Sequence, residues 1–113
     1  MNEDCIFCKI VKGEIPSTKV YEDEKVLAFE DINPIAPVHT LVIPKEHFDS
    51  FMELNDAELE AHLNKVIKEV AKIKGVDEKG FRLVTNIGAD GGQAVKHLHY
   101  HILGGMKMPT RNM

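Results

Sequence analysis

The stretch His97-Leu98-His99-Tyr100-His101-Ile102-Leu103 carries three of the chain's six histidines in strict alternation with bulky apolar residues. Side chains alternate between the two faces of a strand with period two. The pattern therefore predicts a final strand over 98–103, with His97, His99 and His101 on one face and Leu98, Tyr100 and Ile102 on the other. Gly91-Gly92-Gln93 precedes it, a turn whose backbone can approach an anion closely. A lone histidine is ordinarily a satisfied surface or core residue, and a Gly-Gly pair alone is ordinarily a tight turn. Three alternating imidazoles beside that turn point to a chemical site. His-x-His on a strand is also a common way to place two ligands on zinc, so ligation and catalysis are both open to these residues.

Upstream, 86–92 reads as a polar, glycine-rich loop and 81–85 as a strand. One long helix is predicted before them, with Asn55 as N-cap, Glu58 three residues later as in a capping box, and Asp56 favouring the positive dipole end. Leu59, Leu63, Val66, Ile67, Val70 and Ile73 recur at helical spacing, and Gly75 supplies the stop. Leu41, Val42 and Ile43 make 38–44 too apolar for an exposed edge strand. Residues 31–37 form a proline-punctuated loop. Residues 19–22 and 26–30 read as a hairpin, and 6–11 as a short helix ended by Gly13 and Pro16. This order favours an α+β fold. The long helix covers one face of the sheet and leaves the histidine face for a ligand or a partner subunit.

With 113 residues, no repeat and no linker, the chain is expected to be a single domain, 1–113. Its composition, 43% hydrophobic and 28% charged, is that of an ordinary globular protein. The net charge of -4 and the lack of a basic stripe argue against nucleic acid as a partner. The apolar runs are far shorter than a membrane span. The acidic start Met1-Asn2-Glu3-Asp4 lacks the features of a signal peptide. Cys5 and Cys8 do not form a secreted disulfide framework, so the expected compartment is the cytoplasm. Cys5-x-x-Cys8 alone is compatible with a redox pair, two buried thiols or half of a metal site. It opens the chain rather than following the first strand of a βαβ unit, which disfavours the redox reading. His62, on the long helix, reads as a surface residue.

The alternating segment matches the His-φ-His-φ-His-φ-φ signature of the histidine triad (HIT) superfamily. The similarity extends through Ala28-Phe29-Glu30-Asp31-Ile32-Asn33-Pro34, His39-Thr40-Leu41-Val42-Ile43-Pro44-Lys45 and Asn86-Ile87-Gly88-Ala89-Asp90-Gly91-Gly92-Gln93, nearly the whole chain. It most resembles the Hint branch, the histidine-triad nucleotide-binding proteins. The resemblance implies a HIT-like fold, an antiparallel sheet with one long helix and a short N-terminal helix, working as a homodimer on a small nucleotide substrate.

The resemblance also implies attack at an α-phosphorus. His99 takes the place of the nucleophile that forms a nucleotidyl-histidine intermediate. His101 contacts a phosphate oxygen, His39 positions groups or relays protons, and the amides around Gly92 with the Gln93 side chain stabilise the phosphoryl oxygens. Asp31 would accept the ribose hydroxyls, with Ile6, Phe7, Ile10, Phe29 and Ile32 as the apolar base cleft. Asn86, Gly92, Gln93 and Ala94 complete the nucleotide-binding set with His99 and His101. By the same resemblance Cys5, Cys8, His47 and His97 would hold a structural zinc.

Two departures stand out: Ala94 where the Hint branch usually has serine after Gly-Gly-Gln, and the tail Met106-Lys107-Met108-Pro109 in place of an aromatic one. The implied reaction is hydrolysis of purine nucleoside phosphoramidates. The alternatives are hydrolysis of dinucleoside polyphosphates, as in the Fhit branch, and a nucleotide-binding or interaction module with weak catalysis. A zinc hydrolase using all three triad histidines would leave Cys5 and Cys8 unexplained.

Overall fold

A computed structural model describes residues 4–110. Residues 1–3 and 111–113, which belong to the expected domain 1–113 and include most of the acidic start, lie outside the described residues. The elements run α1 (Ile6–Val11), β1 (Lys19–Glu22), β2 (Val26–Glu30), β3 (Val38–Pro44), a 3-10 turn (Phe51–Glu53), α2 (Ala57–Ile73), β4 (Arg82–Val84) and β5 (Tyr100–Gly104). The strands form one antiparallel sheet in the order β1-β2-β3-β5-β4, giving the expected α+β architecture.

The hairpin turn between β1 and β2 is built on Asp23. Its Oδ1 accepts from the backbone N–H of Lys25 and of Val26, each at 2.8 Å, and its Oδ2 accepts from the Tyr21 hydroxyl at 2.7 Å. His62 of α2 reaches the same Oδ2 at 2.7 Å, so this histidine ties helix to hairpin and is more than the surface residue expected. Burial works to raise the Asp23 pKa, but the hydrogen bonds outweigh it and hold the carboxyl well below its usual range.

The period-two pattern sorts the strands into two cores. Val26, Ala28, Val42, Tyr100 and Ile102 face α2, where Leu59, Leu63, Val66, Ile67 and Val70 close over them. Leu27, Phe29, Leu41 and Ile43 face the other way and are covered in part by Phe7, Cys8 and Ile10 of α1. The second face is thus half roofed by a six-residue helix, and the site lies beside that roof.

Three local expectations are corrected. The N-cap of α2 is Asp56, not Asn55: its backbone is extended (φ -110, ψ 103) and its Oδ1 accepts from Leu59 N–H at 3.1 Å. Glu58 consequently falls one position short of a capping box, and one carboxylate serves both as cap and as dipole partner. Ile73 is 54% exposed, and Ala71 takes the buried position in the last turn. The final strand begins at Tyr100 rather than Leu98, because the β3 ladder ends at the Val42–Tyr100 pair. Leu98 instead donates its N–H to Phe48 O at 2.7 Å. The alternation of faces nevertheless persists, since Leu98 joins Tyr100 and Ile102 in the α2-side core. Among the described residues no helix is long and apolar enough to cross a membrane.

Candidate active site and metal cluster

His39 on β3 and His101 on β5 meet across the sheet, with His39 Nε2 2.9 Å from His101 Nδ1. The backbone N–H of Ile35 donates to His39 Nδ1 at 3.1 Å, so the proton of His39 sits on Nε2 and points at His101. His101 accepts it on Nδ1 and therefore carries its own proton on Nε2. Asp31 Oδ2 lies 3.4 Å from His39 Nε2, while Oδ1 accepts from Asn33 N–H at 2.8 Å. The nitrogen and carboxylate atoms of Asp31, His39 and His101 lie within 4.8 Å of one another, a spacing open to a metal. The protonation of His39 argues otherwise: its Nε2–H stands between two acceptors, making a hydrogen-bond relay.

His99 is oriented by its own chain. Its Nδ1 lies 2.7 Å from the backbone carbonyl of His97, so Nδ1–H donates and Nε2 keeps the lone pair. Nε2 has no protein partner among the described residues. The ring is buried, with the edge of Phe7 5.1 Å away and His101 5.0 Å away, centroid to centroid. Burial lowers the His99 pKa, and burial together with the neighbouring His99 and His39 lowers that of His101 to about 4. At neutral pH the pair thus offers a free lone pair and an N–H donor side by side.

The loop before the triad is internally braced. Asn86 Nδ2 donates to Gly91 O at 2.8 Å. A Cβ at Gly91 would stand 2.3 Å from Ile87 O, and Gly92 has φ +76, so each glycine has its own steric reason. The amides of Gly91, Gly92 and Gln93 close the turn onto Gly88 O and Ala89 O at 3.0–3.2 Å, which corrects the expectation that those around Gly92 face phosphate. The amides of Ala94, Val95 and Lys96 have no acceptor among the described residues and are the available donors. The Gln93 side chain also differs from expectation. Its Nε2 donates to Asp49 O at 2.6 Å and Val95 O at 2.9 Å, and its Oε1 accepts from Gly88 N–H at 2.9 Å, so it shapes the loop. Ala94 is exposed and presents only a methyl group.

Of the residues expected to hold a base, Phe7, Ile10 and Phe29 are buried, and Phe7 packs edge-on against Phe29 at 5.5 Å. Ile6 is exposed, and Ile32 is 89% exposed in the loop after β2, away from any packed cleft. A cleft of about 430 Å³ opens on the His39–His101 side, lined also by Ile35, Asn86, Leu103 and Met108. Ile35 and Met108 were not foreseen as site residues; an apolar residue in a proline-rich loop and one in an irregular tail carry no periodic signal.

The second cluster lies behind His99. Cys5 Sγ is 3.2 Å from His97 Nδ1, and Cys8 Sγ is 3.5 Å from His97 Nδ1 and 3.3 Å from His47 Nδ1. All four ligand atoms lie within 4.8 Å of one another. A tetrahedral zinc with usual bond lengths separates sulfur from nitrogen by about 3.6 Å. Both imidazoles are set up to ligate: His97 Nε2–H donates to Pro44 O at 2.9 Å and His47 Nε2–H to Asp49 Oδ1 at 2.8 Å, leaving each Nδ1 lone pair toward the thiols. Burial raises the Cys5 pKa and lowers that of His97 to about 4. The donor set fits a closed Cys2His2 ion. Asp49, its carboxylate partner, had no signal in the sequence.

The HIT domain family model matches residues 12–108. A 14 kDa zinc-binding protein of Zea mays is 53% identical over 108 residues, 91% of this chain and 83% of that protein. Among solved structures, a HIT family hydrolase from Clostridium thermocellum superposes with TM-score 0.95 at 50% identity, covering 100% of both chains. A histidine triad protein from Clostridium difficile gives TM-score 0.93 at 58% identity over 99% of each. Family match, fold and alternating histidines agree, and the chain belongs to the HIT domain family.

Proposed function

We propose that the protein hydrolyses purine nucleoside phosphoramidates, or related conjugates of a nucleoside 5'-monophosphate, at the α-phosphorus. The carrying observation is the 2.7 Å contact of His99 Nδ1 with His97 O, which leaves a neutral imidazole with its Nε2 lone pair exposed to a substrate. Nε2 attacks phosphorus, the P–N bond breaks, and the amine departs with a proton from water, since Ala94 has none to give and the one proton of His101 is held on Nε2 toward a phosphoryl oxygen. Water then cleaves the nucleotidyl-histidine, releasing the nucleoside monophosphate and restoring His99. His101 Nε2–H donates to a phosphoryl oxygen, held in that tautomer by His39. The amides of Ala94 and Val95 supply further donors, and Asp31 takes the ribose hydroxyls beside the apolar residues of α1 and β2.

Zinc is the ion that suits the second cluster. Cys5, Cys8, His47 and His97 would hold it with no open position, so it supplies architecture rather than Lewis-acid chemistry. In this reading the protein works in a reducing cytoplasm, where the two thiols bind metal. Its working unit is a homodimer, which the edge position of β4 and the half-exposed Leu83 on it would serve.

The test compares adenosine phosphoramidate with diadenosine tetraphosphate, for wild type and His99→Ala. The expected result is faster turnover of the phosphoramidate and a loss of roughly a thousandfold or more in the variant. Equal rates in wild type and variant would remove His99 as nucleophile. Faster turnover of the dinucleotide would move the substrate class, and nucleotide binding with no turnover of either would leave a binding module.

A further inference from the structure

Asp49 touches both halves of the site from one position in the irregular segment after β3. Its carboxylate accepts His47 Nε2–H at 2.8 Å, leaving His47 Nδ1 toward Cys8 Sγ, 3.3 Å away. Its backbone carbonyl accepts from Gln93 Nε2 at 2.6 Å, and Gln93 closes the loop by accepting from Gly88 N–H at 2.9 Å. The residue between adds a second tie, with Phe48 O accepting the N–H of Leu98 at 2.7 Å, midway between His97 and His99. Residues 47–49 are therefore a strap, with a metal ligand at one end and a grip on the loop and triad at the other.

The geometry points to Asp49 as a positioning residue that couples metal occupancy at Cys5, Cys8, His47 and His97 to the order of the phosphate-side segment, residues 86–98. This inference rests on the zinc and nucleotidyl-transfer readings given above. With an ion bound, the His47 ring is fixed at both nitrogens. Without it, the hydrogen bond between Nε2 and the Asp49 side chain, 53% exposed, is a weak tether. The strap then loosens, and with it the carbonyl that anchors Gln93. Linkage requires the converse: breaking the grip on Gln93 weakens metal binding. A displaced loop misplaces donors that act in the transition state, so metal loss lowers kcat more than it raises KM.

The test uses the full chain, zinc-loaded or stripped by a chelator. Zinc affinity is measured by competition with a chromophoric chelator, amide hydrogen exchange is followed over 86–98, and kcat and KM are determined with adenosine phosphoramidate. Asp49→Ala should weaken zinc binding roughly 10–100-fold and raise by the same factor the zinc needed to protect 86–98. Asp49→Asn keeps an oxygen for His47 Nε2–H and should retain most of the affinity. Gln93→Ala should leave exchange in the loop unresponsive to zinc. At limiting zinc, the kcat of Asp49→Ala should fall with KM held, and excess zinc should restore it. Wild-type affinity in Asp49→Ala, or identical loop exchange in loaded and stripped wild type, would overturn the coupling. Both readouts need no substrate, so a wild type that binds zinc and protects its loop yet leaves phosphoramidate intact would defeat the substrate reading alone.

Discussion

At the scale of single residues, the chemistry is decided by which nitrogen of each histidine holds the proton. His97 and His47 donate through Nε2 and turn Nδ1 toward the thiols, whereas His99 donates through Nδ1 and leaves Nε2 without a protein partner among the described residues. Ala94 stands where the Hint branch, which the sequence resembles, usually has serine. Ala94→Ser should restore a hydroxyl donor and raise kcat for an amine leaving group by about 10- to 100-fold, within the worth of one well-placed donor. Steady-state kinetics with phosphoramidates of differing amine basicity would show the gain growing with basicity.

His101 sets an acid limit. Its folded pKa of about 4 lies below the ordinary 6.5 because it is buried and faces His99 and His39, with only Asp31 opposing. A depressed pKa makes its contribution to stability complete above pH 6.5 and lost as pH falls through about 4. Protonating Nδ1 also removes the acceptor for His39 Nε2–H. Activity should therefore persist below pH 6 and collapse toward pH 4, with the melting temperature falling across the same window; a pH–rate profile beside thermal melts checks both.

At the scale of elements, α1, β1, β2 and β3 follow the sequence reading residue for residue, because each is a short segment bounded by local turn chemistry, and β2 and β3 are buried almost throughout. Two of the misses, the cap of α2 and the start of β5, share one cause. A helix or strand end is set by which backbone groups find partners, and those partners lie elsewhere in the chain. Leu98 has the pattern of a strand residue, but its N–H is taken by Phe48 O, so β5 starts two residues late. The cap of α2 offers a direct check. Asp56→Ala should cost about 1 kcal/mol of stability, while Asn55→Ala should be nearly neutral, measured by urea denaturation. Equal costs would return the cap to Asn55.

At the scale of the molecule, the short helix α1 roofs the second core and, with its N-cap Cys5, brings two of the four residues of the Cys/His cluster. Holding zinc should therefore stabilise the whole fold, in proportion to the logarithm of free metal over its dissociation constant. Chelation is expected to lower the melting temperature by about 10 °C or more, with exchange rising first over residues 5–11 and 47–49. An unchanged melt after verified metal removal would refute a structural ion. The same placement puts His97 at a junction: its ring belongs to the Cys/His cluster and its carbonyl holds the His99 ring.

The sequence by itself determined the strand and helix periods, the three alternating imidazoles, the glycine turn and the residues expected to hold zinc. These are legible because they rest on spacing and side-chain chemistry within a few residues, or on motifs matched along the chain. Tertiary structure alone decided what each group does. Cys5 meets His97 across 92 residues and His39 meets His101 across 62, and those partners assign the free nitrogens. Tertiary structure alone also turned Gln93 from a phosphate donor into a loop clamp and brought in Asp49. An imidazole or a carboxamide has no fixed role until its hydrogen-bond partners are in place, and only the folded chain supplies them.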